Sequence, residues 1–231
     1  MTGPLKRVVH SAGRWYCQTV ARSEYEAQVY RRINERPIEY RFVFEAIGQT
    51  APESVLDVGT GESALPSLIR TCGPVVTAID NIGDYWPEGM VNRHFHIRDE
   101  DATKAISGTY DLVTCISVLE HIQEHDAAVR NMMGALNPGG HLILTFPYNE
   151  NCYIENAYKL PGAGYGQDLP FVCQMYSRAN LERWFAPDAI VKQEYWRVFS
   201  GPWWTFGETL QPSIEVGRDQ LHQLTCLMIR K

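Results

Sequence analysis

The sequence predicts a doubly wound α/β sheet that is preceded by helices. The first observation is a short apolar run, Val55 to Val58, followed at once by two glycines and then by a helix-compatible stretch. An apolar run of this length, bounded by a turn, is typical of a buried strand. The second observation is that further apolar runs alternate with helical segments along the chain, which is the pattern of a parallel sheet.

Composition limits the class of protein. The chain has 231 residues and is 45% hydrophobic, so we expect one domain, residues 1–231, with a full core. No apolar run approaches the roughly 20 residues that a membrane span needs. The basic residues near the N-terminus are not followed by an apolar block, so we do not expect them to belong to a secretory signal. Six scattered cysteines without a C-x-x-C pair predict reduced thiols and a cytoplasmic location. The net charge of −6 argues against nucleic acid as a partner.

The turn after the first strand indicates the kind of ligand. Gly59, Thr60 and Gly61 form a turn that lets a ligand approach the backbone, and the pattern G-x-G-x-x-A through Ala64 also fits a dinucleotide. Asp57 stands two residues before the first glycine. A carboxylate there repels a pyrophosphate and attracts a cation, which favours a positively charged ligand.

Helices are predicted before this first strand. Ser23 and Glu26 have the spacing of a capping box, which predicts a helix to about Asn34, whereas residues 1–21 show no clear period. Pro37 then suits the first turn of a second helix, from Ile38 to about Gln49. We interpret residues 1–52 as an N-terminal helical cap. Nicotinamide-binding domains usually open directly with the strand, so this preface argues against them.

An acidic residue stands at the end of the second predicted strand. Asp80 ends the strand that begins at Val75 and lies 23 residues after Asp57 (80 − 57). A carboxylate at this place accepts hydrogen bonds from ribose hydroxyls, which predicts a nucleoside without identifying the cofactor. Only a short or missing helix fits between Asp80 and the third strand, His94 to Arg98.

The fourth and fifth strands are Tyr110 to Ile116 and His141 to Phe146. The segment from Tyr110 to Ile122, with Ser117, Glu120 and His121, and the L-x-P-G-G turn at 136–140 resemble class I S-adenosylmethionine-dependent methyltransferases of the type 11-like group. The D-x-G-x-G run at 57–61 resembles that family's first motif. These matches cover residues 53–147 in the family's order, with Ser63 where a third glycine is usual.

The resemblance implies a Rossmann-like sheet of seven mostly parallel strands, with the last strand antiparallel. It implies S-adenosyl-L-methionine as the cofactor, with S-adenosyl-L-homocysteine as the product. In the family an Asp-Ala pair meets the adenine, here Asp101 and Ala102, with Asp99 as a rival and a solvated acidic loop as the alternative. The cofactor-binding residues implied in this sequence are Asp57, Gly59, Thr60, Gly61, Asp80, Asn81, Asp101, Ala102, Ile116 and Ser117.

The segments after the fifth strand are interpreted next, and the first of them is expected to contact the molecule that accepts the methyl group. Residues 148–176 are long and rich in tyrosine, and we interpret them as a substrate lid. Residues 177–231 are predicted to form a helix and a final strand pair.

The predicted reaction is methyl transfer to a small-molecule acceptor, at a hydroxyl oxygen of a sugar or another metabolite. His121 is the candidate base, and Tyr148 is a candidate for positioning. No metal is expected, because no carboxylate stands directly at the end of the fourth or fifth strand. Alternatives that stay open are an N-methyltransferase, a non-catalytic subunit that binds the cofactor, and an NAD(P)-dependent oxidoreductase. The sequence does not predict the oligomeric state.

Overall fold

A long helix is the first element of the chain. The computed structural model describes residues 3–30, 33–86 and 89–231, and it divides the chain into two compact units, Met1–Asn34 and Glu35–Lys231. In the first unit, helix α1 spans Pro4–Glu26, and proline suits its first turn because the N–H it lacks would have no partner there.

The predicted start of a helix at Ser23 is wrong. Ser23 lies in the last turn of α1, where its carbonyl oxygen accepts a hydrogen bond from the N–H of Ala27 at 3.0 Å. The segment before Ser23, which showed no clear period, is helical instead. Residues 31 and 32, within the helix predicted to reach Asn34, lie outside the described residues.

The second unit contains a sheet with helices around it. Its helices are α2 (Arg36–Thr50), α3 (Leu65–Thr71), α4 (Ile82–Tyr85), α5 (His125–Gly134) and α6 (Arg178–Trp184). Its strands are β1 (Ser54–Val58), β2 (Val75–Asp80), β3 (Arg98–Asp99), β4 (Tyr110–Ile116), β5 (Leu136–Pro147), β6 (Ile190–Phe199), β7 (Thr209–Val216) and β8 (Leu224–Arg230).

The strand order explains where a ligand can bind. The order is β3-β2-β1-β4-β5-β8-β6-β7, and β1 to β5 are parallel. Strand β8 runs antiparallel to both of its neighbours, β5 and β6. The chain therefore reverses its direction of winding at β1 and β4, and open α/β sheets bind ligands beside the carboxyl ends of such strands.

Two sequence predictions about the sheet need correction. The described residues form eight strands rather than seven, because β7 adds an antiparallel edge strand beside β6. Its exposed residues and Pro212 conceal it in the sequence, since proline in a strand is tolerated mainly at a sheet edge. Strand β3 is also only two residues long, Arg98–Asp99, instead of the predicted His94 to Arg98.

Apolar layers cover both faces of the sheet. Neighbouring residues of one strand go to opposite layers, as Leu112 and Val113 do, because side chains alternate along a strand. One layer packs against α2 through Phe42 and Val43, and the other packs against α5 through Val129. This burial on both sides explains the continuous apolar runs of the central strands.

No helix in the described part of the chain combines the length and the apolar character needed to cross a membrane.

Candidate functional site

A cavity of about 810 Å³ opens at the carboxyl ends of β1, β2 and β4. Its lining contains every residue that the sequence implied for cofactor binding, together with the candidate base His121. The lining is strongly acidic, whereas Arg36 is its one arginine or lysine among the described residues. The acidic lining residues are Asp57, Glu62, Asp80, Asp84, Glu100, Asp101 and Glu124. Such a cavity favours a cationic ligand.

Asp57, near the end of β1, is a buried carboxyl group. Its two oxygens accept hydrogen bonds from the hydroxyls of Thr60 and Thr114, each at 2.7 Å. Burial raises the pKa of Asp57 to about 6, although these two hydrogen bonds oppose the increase. The group therefore ionises close to neutral pH, and its charge is available to a cation in the cavity.

The glycine turn after β1 requires glycine for two reasons. Gly59 and Gly61 have φ angles of 73° and 53°, which side chains rarely adopt. A Cβ atom at Gly59 would also lie 2.2 Å from the side chain of Val118. The turn is held to β2, because the N–H of Gly59 donates to the carbonyl of Ile79 at 2.8 Å.

Asp80, the last residue of β2, fastens this turn. Its Oδ2 atom accepts a hydrogen bond from the N–H of Gly61 at 2.7 Å, and its Oδ1 atom accepts one from the indole of Trp86 at 3.1 Å. Burial raises the pKa of Asp80, while these two hydrogen bonds act in the opposite direction. The carboxylate keeps further lone pairs for a ligand hydroxyl. Asn81 caps α4 by accepting from the N–H of Asp84.

The structure distinguishes the two aspartates after β3. Asp99 turns toward the start of α4, where its Oδ1 atom accepts hydrogen bonds from the N–H groups of Ile82 and Gly83. It does not line the cavity, whereas Asp101 and Ala102 do. Of the two rivals, only Asp101 is thus placed to meet a ligand.

The carboxyl end of β4 is tied to helix α2. Ser117, with a φ of 51°, donates a hydrogen bond to the buried carboxylate of Glu39 at 2.5 Å. Thr145 donates to the same oxygen at 2.7 Å, and Arg36 pairs with the other oxygen at 3.0 Å. Arg36 also reaches the carbonyl of Ile116 at 3.3 Å. This network fixes the backbone of Ile116 and Ser117 at the cavity wall.

His121 has a defined tautomer. Its Nδ1 atom lies 2.6 Å from the carbonyl of Val172, and since a carbonyl only accepts, Nδ1 carries the hydrogen. The Nε2 atom of the neutral ring therefore has a free lone pair. Burial lowers the pKa of His121, which keeps the ring neutral at pH 7. Neighbouring Glu120 is buried, and its Oε2 atom has no hydrogen-bond partner among the described residues.

The insertion between β5 and α6 contributes no residue to the lining of the cavity as described, but one of its aromatic rings contacts two lining residues. The ring of Phe171 lies 4.8 Å from that of His121 and 5.9 Å from that of Tyr85, and both of these residues line the cavity. The hydroxyl of Tyr153 instead donates a hydrogen bond to the side chain of Gln174. Its ring packs beside that of His125, which does not line the cavity.

Tyr148 lies away from the cavity. It is fully buried, stacks on His222 with a ring separation of 5.7 Å, and donates a hydrogen bond to Glu150 at 2.9 Å. Glu150 is paired with Arg178 and Arg218. The predicted positioning role of Tyr148 at the acceptor is therefore unsupported, because its side chain turns into the packing beside β6 and β8.

Several lining residues are absent from the sequence prediction. Arg36 and Tyr40 come from the first turns of α2, which lies before β1 in the chain, and Tyr40 is hydrogen-bonded to Ser63 at 3.0 Å. The spacing of Arg36, Glu39 and Tyr40 places them on one side of a helix. This spacing is the sequence feature that could have indicated that they act together. Their partners are distant in sequence, so only the fold connects them.

Comparison with known proteins finds a matching family model and related sequences. A family model described as a methyltransferase domain matches residues 25–187. A stretch of 160 residues is 28% identical to the ubiquinone biosynthesis O-methyltransferase of Vibrio campbellii, covering 65% of this chain and 65% of that relative. The match thus spans slightly less than two thirds of the relative's length.

Solved structures share the fold at low identity. The 1,6-didemethyltoxoflavin-N1-methyltransferase of Burkholderia thailandensis superimposes with a TM-score of 0.54 at 13% identity, over 100% of this chain and 91% of that one. A methyltransferase of Thermotoga maritima, described as a possible histamine N-methyltransferase, gives 0.53 at 12% identity over 97% of each chain.

Proposed function

Because the chain belongs to the methyltransferase-domain family, we propose that it transfers the methyl group of S-adenosylmethionine to a hydroxyl oxygen of a small-molecule acceptor. The observation that carries this proposal is the pair of carboxylates, Asp57 and Asp80, on either side of the glycine turn in one acidic cavity. S-adenosylmethionine carries a sulfonium and an ammonium group, so its charge complements this lining. The pyrophosphate of a nicotinamide dinucleotide would meet like charge there.

The donors and acceptors around the cavity fit this cofactor. Asp80 would accept hydrogen bonds from the ribose hydroxyls, and Asp101 would meet the adenine amino group. The methionine part would lie along the glycine turn and the end of β4, near Asp57 and Ser117. When bound, the cofactor supplies a methyl group activated by its positive sulfur. The chain's contribution is to hold the acceptor in line with that methyl group.

Removal of a proton from the acceptor is assigned to His121. Its hydrogen bond to Val172 orients the ring and leaves the Nε2 lone pair to accept a proton. The lowered pKa of His121 keeps this lone pair available at neutral pH. Oxygen as the acceptor atom is supported by the names of the relatives, which are O-methyltransferases.

The acceptor is proposed to bind beside Tyr85 and Phe171. These rings stand next to His121, and aromatic faces suit a flat or ring-shaped acceptor. Residues 148–176 would then select the acceptor through Phe171, while the rest of this insertion supports it.

Two measurements test the proposal. Calorimetry should show binding of S-adenosylmethionine and of S-adenosylhomocysteine, but not of NAD or NADP. Turnover with a labelled methyl group should then be sought across hydroxylated metabolites, sugars and amines, with and without EDTA. Binding of NAD in preference to S-adenosylmethionine would refute the cofactor assignment. Label transferred only to amines would refute the oxygen acceptor, and activity lost with EDTA and restored by magnesium would refute the metal-free reaction.

A further inference from the structure

We propose that helix α1 binds the surface of a lipid membrane that contains anionic lipids. The proposal concerns the unit Met1–Asn34 and is independent of the methyl-transfer reaction. It rests on the exposed apolar face of α1, on the basic residues of the opposite face, and on the lack of any other helix or strand among the described residues of that unit to cover the apolar face.

The apolar face follows from the helical period. Val8, Ala12, Tyr16 and Val20 are each four residues apart, so they lie along one side of α1. Val9 and Trp15 border the same side. Val8 and Val9 are 64% and 63% exposed, and Trp15 and Tyr16 are 68% and 64% exposed. Large apolar side chains that remain this exposed together mark a surface that binds something.

The opposite face is basic. Lys6, Arg7, His10 and Arg14 lie on one side of the helix, about half a turn away from the apolar residues. Over its whole length, Pro4–Glu26, the helix has four lysines and arginines and two glutamates. The two glutamates are in its last turn, where Glu26 pairs with Arg22 at 3.7 Å, so the excess of positive charge lies in the part before Ser23.

A membrane surface complements both faces at once. A helix with a basic polar face and with aromatic and aliphatic residues on the other face lies in the plane of the lipid headgroups, with its apolar side in the acyl boundary. Anionic headgroups attract the lysines and arginines. Within the described residues of its own unit, α1 is the only helix or strand, so it has no neighbour there to cover this face.

The experiment is co-sedimentation of the full chain with vesicles. One set contains phosphatidylcholine alone, and the other also contains phosphatidylglycerol. We expect binding to the anionic vesicles and weak binding to the neutral ones. Each basic residue near an anionic surface contributes about fivefold in affinity, so the double variant Arg7→Glu/Arg14→Glu should bind at least ~25-fold more weakly. The variant Val9→Gln/Tyr16→Gln should also lose binding, because it removes apolar area while the charge is kept.

A matched control separates position from net charge. Arg70→Glu/Arg130→Glu makes the same change in charge on exposed residues of the second unit, and vesicle binding should be unchanged. Circular dichroism must show that every variant is folded. The proposal is overturned if the unaltered chain does not bind anionic vesicles, or if the control loses binding as fully as the variants of α1. It is also overturned if light scattering shows that the unaltered chain is a stable dimer that does not bind vesicles, while the Val9→Gln/Tyr16→Gln variant is a monomer.

Discussion

The indole Nε1 of Trp86 donates a hydrogen bond to Oδ1 of Asp80 at a distance of 3.1 Å. The carboxylate proposed to bind the cofactor's ribose is therefore already engaged by a neighbouring side chain. The Trp86 ring also covers the glycine turn, because it lies 3.4 Å from the place where a Cβ atom of Gly61 would stand. A ligand hydroxyl that binds to Oδ1 must share this oxygen with Trp86 or displace the indole, whereas Oδ2 is shared with the N–H of Gly61.

Replacing the Asp80 carboxylate should weaken cofactor binding. Asp80→Asn keeps the shape of the side chain but removes the charge that strengthens hydrogen bonds from a ribose. Hydrogen bonds to charged groups contribute about 1.5–3 kcal/mol, so we expect the dissociation constant of S-adenosylmethionine to rise by at least about tenfold. Calorimetry on the variant measures this, with thermal unfolding as a control for folding. An unchanged dissociation constant would remove Asp80 from the site.

Removing the Trp86 donor should change how affinity depends on pH. Burial raises the pKa of Asp80, and the indole hydrogen bond opposes this effect. In Trp86→Phe the pKa of Asp80 therefore rises further, so protonation weakens cofactor binding at a higher pH than in the unaltered chain. Calorimetry across a pH series tests the shift. Tyr85→Phe is the control, since it alters the adjacent ring without removing a bond to Asp80. Identical profiles for all three proteins would contradict the prediction.

Asp57 should make stability fall as pH rises. Its pKa is about 6 in the folded chain and 3.8 in the unfolded reference, so the folded state binds the proton more tightly. The resulting stabilisation is complete below the lower value and is lost as pH rises through the upper one, by about 3 kcal/mol. Asp57→Asn has no such titration, so urea unfolding should show it to be more stable than the unaltered chain above pH 6, while its affinity for S-adenosylmethionine falls.

Asp111 provides a control, because folding lowers its pKa whereas folding raises the pKa of Asp57. The hydrogen bond from Asn137 is the largest of the effects that lower the pKa of Asp111, so its contribution to stability is lost as pH falls. Asp111→Asn should therefore destabilise the chain at neutral pH. If Asp57→Asn behaves in the same way as Asp111→Asn, the assignment of a raised pKa to Asp57 is wrong.

The variant His121→Gln should reduce turnover and leave cofactor binding intact. A glutamine still donates a hydrogen bond to Val172 but does not accept a proton, and general bases contribute about 10²–10⁴-fold in rate. Because burial lowers the pKa of His121, the pH at which the rate of the unaltered chain is halved should lie below the ordinary histidine pKa of about 6.5. The neighbouring variant His125→Gln is the control and should retain activity. Full turnover by His121→Gln would exclude the histidine as the base.

The insertion should act on the acceptor through Phe171. Phe171→Ala removes the ring beside His121 and Tyr85, so the KM of the acceptor should rise by about tenfold at an unchanged dissociation constant for S-adenosylmethionine. Tyr153→Ala is the matched control, since that ring packs beside His125. Equal effects of the two variants on acceptor KM would mean that the insertion acts by general packing and that Phe171 has no specific contact.

Much of the fold and of the lining of the candidate site can be predicted because the signals are local. The family is confirmed, because the model of a methyltransferase domain matches residues 25–187, whereas the S-adenosylmethionine-dependent activity stays a proposal. The α/β fold with its mostly parallel sheet is also confirmed. Asp57 and Asp80 were identifiable because each lies at or within one residue of the end of an apolar strand, and strand ends of a parallel sheet meet at one edge. The roles of the individual site residues stay predictions, as does the organisation of residues 1–231 as one domain.

The features that the sequence did not reveal depend on distant or exposed residues. Arg36 reaches the carbonyl of Ile116 across 80 positions in the chain, which no local pattern indicates. Strand β7 is exposed at the sheet edge, so it lacks the apolar alternation of a half-buried strand. Tyr148 follows an apolar strand as the candidate residues do, but it ends in the packing beside β6 and β8. Position after a strand predicts proximity to the cavity, and it does not predict the direction of the side chain.

The carboxylate of Glu39 also has a consequence for the order of assembly during synthesis. Helix α2 leaves the ribosome before any strand, yet the hydroxyls that satisfy Glu39 belong to Ser117 and Thr145, which lie 78 and 106 residues later. Until β5 has emerged, this carboxylate lacks the hydroxyl of Thr145, and Arg36 of its own helix does not replace that hydrogen bond, so burial is costly and the carboxylate stays in water. Docking of α2, and with it closure of the cavity wall, is therefore a late event in a nascent chain. A chain truncated before Thr145 should leave α2 accessible to protease, whereas a chain that extends past β8 should protect it.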